Sequence, residues 1–248
     1  MDLCYNEIAH MLCKQLEIEE KEFVSFFDLL YENYSKTFTR LTGSVLMEDR
    51  GRQLASLNAD LFKLTDCANP NIDFAGGIIL ANDQTVELLQ FPNKEKIKVS
   101  GVKYVSVEGS PEKLAKIVGV QENIFPHLRT AFLEAQSQAN IDVVEEYNKQ
   151  NLLLEIYTCY PPVPIAFLLA TGIITNVRDL PAFLERYEMT VTGGMNLARA
   201  PWNNPVLNGL IDMYGKLKVN SVTYGLVHGN GGIGEIQGIA LLEKIRKD

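Results

Sequence analysis

Hydrophobic and polar positions divide the chain into two parts, and their periodicity changes near residue 70. In the first part, apolar residues recur three or four positions apart, as in amphipathic helices. This pattern is carried by Leu3, Ile8, Leu12, Leu16, Phe23, Phe26, Phe27, Leu30 and Tyr34. The periodicity weakens between residues 36 and 66. We therefore predict a helical and loop segment over residues 1–68.

In the second part, apolar runs and amphipathic stretches alternate, with turn residues between them. Apolar or alternating runs predict strands over residues 72–83, 102–110, 151–159, 221–229 and 236–244. Helical spacing predicts helices over residues 125–140, 163–173, 178–187 and 205–217. This alternation predicts an α/β domain over residues 69–248, with a mixed sheet of about five strands and helices on its faces.

The predicted helix over residues 205–217 is apolar around most of its circumference. Its polar residues Asn208, Asp212 and Lys216 form one narrow stripe, because they are spaced four positions apart. A helix of this kind needs partners on more than one side.

Composition excludes several classes of function. The net charge of −8 disfavours nucleic acid as a partner, because phosphate binding requires clustered positive charge. No apolar run reaches the roughly 18 residues that a membrane helix needs. The four cysteines include no CxxC pair, which is typical of reduced thiols in a cytoplasmic protein. The sequence shows no metal-ligand cluster, and GNGGIG lies between two predicted strands, unlike a nucleotide-binding loop.

Four segments carry a family resemblance, and they occur in the family's order and spacing. They are LFKLTDCANPNIDFAGGIIL, LEIYTCYPPVPIAFLLATGI, TVTGGMNLARAPWNNPVLNGLIDMYGKL and GLVHGNGGIGEIQGIALLE. Together they resemble the C-terminal half of a thiolase, in the sterol-carrier-protein and actinobacterial thiolase-like branch. The family's N-terminal half, with its nucleophilic cysteine, has no counterpart in this sequence.

The resemblance implies a thiolase-like fold and a relation to acyl-CoA acyltransferases such as acetyl-CoA acetyltransferases, in lipid metabolism. It also implies that the family's catalytic His and second Cys are replaced by Ala200 and Gly229. Thiolase chemistry needs a cysteine thiolate, a second base and oxyanion holes. In thiolases the helix matching residues 205–217 lies in a central layer between two sheets. The alternative is a core helix covered by this chain's own N-terminal helices.

Three side chains are candidates for catalytic roles. Cys159 stands at the Cys of the family's HDCF-type motif, as a site thiol or as a small buried hydrophobe. Tyr157 stands where that branch has a His, and a phenol is a poor base but a fair proton donor. His228 ends a predicted strand, either as a displaced base or oxyanion donor or as a structural histidine.

The remaining candidates are residues that would bind substrate. Gly193, Gly194, Asn230 and Gly231 match glycine loops whose backbone N–H groups approach the thioester in thiolases, and glycines also serve turns by default. Asn203 and Asn204 either orient a ligand carbonyl or cap the helix that begins at Pro205.

Two classes of function follow. The first is an enzyme subunit acting on a CoA thioester, without a further cofactor, whose cysteine half lies on another chain. A related version is a cysteine-less thiolase-like retro-aldolase that works beside a small OB-fold partner. The second class is a non-catalytic scaffold or regulatory subunit. In either class, the helix over residues 205–217 and a sheet face would lie uncovered, which predicts a homodimer or a heteromer.

Overall fold

The computed structural model describes residues 1–44, 54–56, 59–90, 96–120, 123–198, 200–201 and 203–245. The helices are α1 (Asp2–Gln15), α2 (Glu20–Thr42), α3 (Asp83–Leu88), α4 (Leu114–Val118), α5 (Pro126–Ala139), α6 (Val143–Asn148), α7 (Pro162–Thr171), α8 (Leu180–Arg186) and α9 (Pro205–Val219). The strands are β1 (Leu54–Ser56), β2 (Ala59–Lys63), β3 (Ile97–Ser106), β4 (Gly119–Val120), β5 (Asn123–Ile124), β6 (Leu152–Glu155), β7 (Tyr224–Gly231) and β8 (Ile236–Lys244). Single 3₁₀ turns lie at Leu64–Asp66, Pro111–Lys113 and Val177–Asp179.

The main sheet is mixed, with the strand order β3-β8-β7-β6. β6 and β7 are parallel, whereas β8 is antiparallel to both β7 and β3. Two small antiparallel sheets, β1-β2 and β4-β5, lie apart from it. The predicted α/β class, the mixed sheet and the closing hairpin of β7 and β8 are confirmed.

The predicted helices are also confirmed, and their ends follow from local sequence. α7 begins at Pro162 and α9 at Pro205, because proline at the first helical position lacks only an N–H that would be unpaired there. α7 ends at Thr171, and the next residue, Gly172, adopts the left-handed conformation with φ of 75°.

The strand predicted over residues 72–83 is wrong. Residues 72–82 have no regular secondary structure, and α3 begins at Asp83 behind the capping side chain of Asn82. Ile79 is 98% exposed and Leu80 is 72% exposed. An apolar run forms a strand only where a neighbouring backbone bonds to it, and the described chain places none beside this run. The main sheet therefore has four strands in the described part of the chain instead of about five.

Helices cover the two faces of the sheet. α5 packs against β3 and β8 on one face, so closely that a Cβ at Gly101 would lie 2.1 Å from the carbonyl oxygen of Ala135. α9 packs on the other face, where a Cβ at Gly225 would lie 2.5 Å from Met213 Sδ. Glycine is required at position 101 because the backbone of α5 approaches the strand this closely, whereas a Cβ at Gly225 would require the Met213 side chain to shift.

The N-terminal helices belong to the same hydrophobic core as the sheet. Leu12 of α1 and Phe23 and Phe27 of α2 are buried in one cluster with Ile156 and Phe167. The predicted division near residue 68 stays a prediction. None of the helices in the described ranges is long and apolar enough to cross a membrane.

Candidate functional site

A cleft of about 360 Å³ opens where the parallel strands β6 and β7 end side by side. Ligand sites in α/β folds form at such carboxyl ends of strands. The start of α1, the loop after β6, the approach to α9 and the β7–β8 turn enclose the cleft. The lining residues are Met1, Tyr5, Ala68, Pro70, Tyr157, Cys159, Tyr160, Met195, Ala200, Asn203, Pro205, Val206, Asn230, Gly231 and Gly232.

A chain of hydrogen bonds runs behind the floor of this cleft, and it begins at His228. The Nδ1 atom of His228 accepts from the backbone N–H of Tyr157 at 3.4 Å. The proton of the neutral ring is therefore on Nε2, which donates to Gln237 Oε1 at 2.7 Å. Gln237 Nε2 donates in turn to Asn230 Oδ1 at 2.6 Å and to the carbonyl oxygen of Gly234 at 2.9 Å.

The same chain reaches the cleft through Asn230 and ends on α1. Asn230 Nδ2 donates to the hydroxyl oxygen of Tyr5 at 2.7 Å and lies 3.6 Å from Cys159 Sγ. The Tyr5 hydroxyl donates to the carbonyl oxygen of Gly232 at 3.2 Å, and its ring stacks on Tyr160 with centroids 4.3 Å apart. The polar groups at this floor satisfy one another without any charge.

Burial keeps the titratable groups of the site neutral. It raises the pKa of the Cys159 thiol to about 12 and lowers the pKa of His228 to about 4. Burial also raises the pKa of the Tyr157 phenol above its ordinary value. At neutral pH the site therefore contains a thiol, a neutral imidazole and neutral phenols, and no activated nucleophile.

Tyr157 differs from the other polar groups of the cleft. It lines the cleft, and within the described part of the chain its hydroxyl makes no hydrogen bond. Its ring lies edge-on to the ring of His228, with centroids 6.4 Å apart. The Tyr157 hydroxyl is thus available to donate a proton or a hydrogen bond to a ligand.

The substrate-binding candidates fall into two groups. Asn203, Asn230 and Gly231 line the cleft, and Asn204 stands immediately before α9. Gly193 and Gly194 are buried behind it with φ of 101° and 84°, against Phe38 and Tyr34 of α2. Those two glycines serve a tight turn that packs on a helix, and their roles in binding stay predictions.

The thiolase resemblance places the family's catalytic His and second Cys at Ala200 and Gly229, and these two positions have different surroundings. Ala200 is buried in the cleft lining. A Cβ at Gly229 would lie 3.1 Å from Val206 Cγ2, so a side chain there would point toward α9. His228, one position earlier in β7, points to the opposite side, because neighbouring side chains of a strand alternate.

Three residues of the site did not emerge from the sequence. Tyr5 and Gln237 belong to a helix and a strand whose apolar patterns dominate, so nothing local marked them. Glu155 had a signal, since it is a lone carboxylate in a buried strand. It accepts from the N–H groups of Val191 and Thr192 at 2.8 and 3.1 Å and from Thr192 Oγ1 at 2.8 Å.

Burial of Glu155 raises its pKa to about 7. Its bonds hold the segment that leads into the Gly193 turn, so Glu155 shapes one wall of the site from behind. Among the described residues, no three His, Cys, Asp or Glu side chains are placed to hold a metal ion.

The fold is thiolase-like. The chain is similar to a monomeric SCP2-thiolase-like protein type 1 from Mycobacterium smegmatis, with a TM-score of 0.69 and 16% identity. It is similar to acetyl-CoA acetyltransferases from Syntrophomonas wolfei (TM-score 0.57, 12% identity) and Bacillus anthracis (0.55, 13%). No protein-family model matches the sequence, and no curated protein matches it.

The chain spans about half the length of these solved structures. All of it aligns with 52% of the Mycobacterium smegmatis chain, and 96% and 97% of it align with 60% of each acetyltransferase. The predicted resemblance is confirmed at the level of fold, as a thiolase-like fold that corresponds to one half of these chains.

Proposed function

We propose that this chain is a thiolase-fold subunit that binds and scaffolds and does not transfer acyl groups through its own cysteine. The observation that carries this proposal is the closed, neutral hydrogen-bond chain from His228 to Tyr5 beside Cys159. Burial raises the pKa of the Cys159 thiol to about 12, so only a very small population of it is ionised at pH 7. Acyl transfer requires the thiolate, so this population is too small to support it.

The site also lacks a side chain that is free to act as the base that the reaction needs. Both ring nitrogens of His228 make hydrogen bonds, and its pKa of about 4 keeps the ring neutral. Ala200 has no acid–base chemistry. We therefore assign any acyl-CoA carbon–carbon bond chemistry to an assembly with a partner chain. For a heteromer, the partner would be a thiolase N-terminal half or a small OB-fold protein, in cytoplasmic lipid metabolism.

The chemistry of the lining suits the acyl end of a CoA thioester. The lining side chains are aromatic, aliphatic, amide or sulfur-containing, and none of them is charged. Such a surface favours the uncharged portion of a ligand, with a few polar groups to orient a carbonyl. The structural neighbours named acetyl-CoA acetyltransferases support this class of ligand.

Tyr157 favours a second candidate, a cysteine-less lyase of the retro-aldolase type. Tyr157 lines the cleft, and burial raises the pKa of its phenol, which keeps the proton on the hydroxyl. A neutral phenol can donate a proton or hydrogen bond to a carbonyl oxygen that gains negative charge.

One set of assays separates these functions. The purified chain is incubated with CoA and acetoacetyl-CoA for thiolysis, and with a β-hydroxyacyl-CoA for retro-aldol cleavage. Binding of octanoyl-CoA is measured in parallel by calorimetry. We expect the chain alone to bind octanoyl-CoA and to catalyse neither thiolysis nor retro-aldol cleavage. The Cys159→Ala and Tyr157→Phe variants should behave in the same way. Thiolysis that Cys159→Ala abolishes would overturn the proposal, and cleavage that only Tyr157→Phe abolishes would establish the lyase.

A further inference from the structure

A second and much smaller space lies near the cleft, against the N-terminal helices. α2 lines one side of it, and Asp66, Pro161 and Asn196 line the other. Its volume is about 10 Å³, which is close to the space that one water molecule needs. We call this space the α2 recess.

The segments that line the α2 recess also form a wall of the cleft. Ala68 and Met195 line the cleft, and they lie two positions from Asp66 and one position from Asn196. The Ala68 N–H donates to the carbonyl oxygen of Cys159, another cleft residue, at 2.9 Å. The α2 recess therefore lies between α2 and the back of this wall.

Two buried polar atoms of the lining residues make no hydrogen bond within the described part of the chain. They are the hydroxyl oxygen of Tyr34 and the Oδ1 atom of Asn196. Tyr34 is only 4% exposed. Buried polar groups without a partner are costly, and nearly all of them in folded proteins bond to protein or to ordered water. Both atoms therefore need a partner that the described chain does not supply.

The orientation of the Asn196 amide restricts the chemistry of that partner. Asn196 Nδ2 donates to the carbonyl oxygen of Thr65 at 3.0 Å. Turning the amide over would place Oδ1 against this carbonyl oxygen, so the opposite orientation cannot satisfy Oδ1. Because Oδ1 only accepts hydrogen bonds, the partner must donate one or carry positive charge.

Asp66 adds a third polar group to the α2 recess. It is 7% exposed, and its Oδ2 atom accepts from the backbone N–H of Lys63 at 2.8 Å. A carboxylate can accept several hydrogen bonds. One water molecule can donate to Asn196 Oδ1 and to the Asp66 carboxylate while it accepts from the Tyr34 hydroxyl. A buried water usually makes about three such bonds.

We propose that the α2 recess is a binding site for one water molecule, which joins Tyr34, Asn196 and Asp66. The water ties α2 to two segments of the cleft wall. Calcium and magnesium suit the site less well, because they take about six or more oxygen ligands and only four of the lining residues carry side-chain oxygens. The inference is independent of the proposed function, since no CoA ligand enters its tests.

The Tyr34→Phe substitution distinguishes a bonded hydroxyl from an unpaired one. Loss of a hydroxyl that bonds to the water should lower the melting temperature by roughly 2–8 °C. Loss of an unpaired buried hydroxyl would instead leave the melting temperature unchanged or raise it, and this result would overturn the proposal. Tyr104→Phe, at a 72% exposed position on β3, is the matched control and should stay within about 2 °C of the wild type.

A double-mutant cycle tests whether one molecule joins the two unpartnered side chains. The combined effect of Tyr34→Phe and Asn196→Ala on the unfolding equilibrium constant should differ from the product of the single effects by at least about 2-fold. Independent effects would show that the two side chains share no water.

A high-resolution crystal structure and melting curves in different salts identify the bound species. One electron-density peak should lie roughly 2.5–3.2 Å from both Tyr34 Oη and Asn196 Oδ1. Melting temperatures in equal concentrations of sodium, potassium and choline chloride should agree. The absence of the peak would overturn the proposal, and so would a higher melting temperature in sodium or potassium than in choline, because a metal cation would then occupy the recess.

Discussion

Tyr5 and Asn230 lie 225 positions apart and are joined by a hydrogen bond of 2.7 Å from the amide nitrogen to the phenol oxygen. Both side chains are buried. The bond ties the first helix to the β7–β8 turn and fixes the amide at the floor of the cleft. In thermodynamic terms, the N-terminal helix stabilises the site as well as the core.

Tyr5→Phe should destabilise the protein by about 1–3 kcal/mol, because it removes the acceptor of a buried amide N–H. The ring stacking on Tyr160 remains possible in this variant, so the loss reports on the hydroxyl. Urea unfolding at neutral pH measures the change. Tyr104→Phe, at a 72% exposed position, is the control and should stay within about 0.5 kcal/mol of the wild type. Equal stability of both variants would mean that the bond contributes nothing.

Glu155 and His228 should give opposite pH dependences of stability. In the folded protein the pKa of Glu155 is about 7, above its ordinary value of 4.5. The stability that the buried neutral carboxyl contributes is therefore fully present below pH 4.5 and is lost as pH rises through 7. In the folded protein the pKa of His228 is about 4, below its ordinary value of 6.5. The stability that the buried neutral imidazole contributes is therefore fully present above pH 6.5 and is lost as pH falls toward 4. Between pH 4.5 and 6.5 the two slopes oppose each other.

Single substitutions should separate these slopes. The unfolding free energy of Glu155→Gln should rise more steeply with pH than that of the wild type, by on the order of 2–3 kcal/mol across pH 4.5 to 7. His228→Gln should change with pH in the opposite sense relative to the wild type. Urea titrations at half-unit pH intervals measure both. Curves that run parallel to the wild type would show that neither group titrates as burial requires.

The sequence predicted the fold correctly where the local spacing of apolar residues determines the secondary structure. α1, α2, α5 and α9 follow from apolar spacing, and the β7–β8 hairpin follows from two runs around a glycine turn. Residues 72–83 show the limit of this reasoning. Their apolar run predicts burial, but a strand also needs a neighbouring backbone, which is not a local property of the sequence.

The candidate site was predictable only in part, for the same reason. The resemblance to thiolases indicated Tyr157, Cys159 and Asn230, and the structure brings these three to one cleft. Tyr5 and Gln237 complete the hydrogen-bond chain from distant elements, and no spacing rule connects them to it. The neutrality of His228 follows from its burial and partners, which depend on the whole fold.

Gly209 and Gly215 of α9 should respond to alanine with opposite signs. A Cβ at Gly209 would lie 2.8 Å from Glu155 Cγ, whereas a Cβ at Gly215 meets nothing within 4 Å. Alanine in a helix interior is favoured over glycine by about 1 kcal/mol. Gly215→Ala should therefore raise the melting temperature, and Gly209→Ala should lower it because α9 must move away from β6. An increase for both variants would show that α9 packs less closely on β6 than the structure indicates.

Cys159 should react slowly with thiol reagents. Its pKa of about 12 and its burial leave little accessible thiolate, whereas Cys4 on α1 is partly exposed. Under native conditions at pH 8, iodoacetamide should label Cys4 at least about 100-fold faster than Cys159, as measured by peptide mass spectrometry. Labelling in urea supplies the control, since both thiols should then react at similar rates. Rapid native labelling of Cys159 would reveal an activated thiolate, and the acyltransferase mechanism would then replace the non-catalytic one.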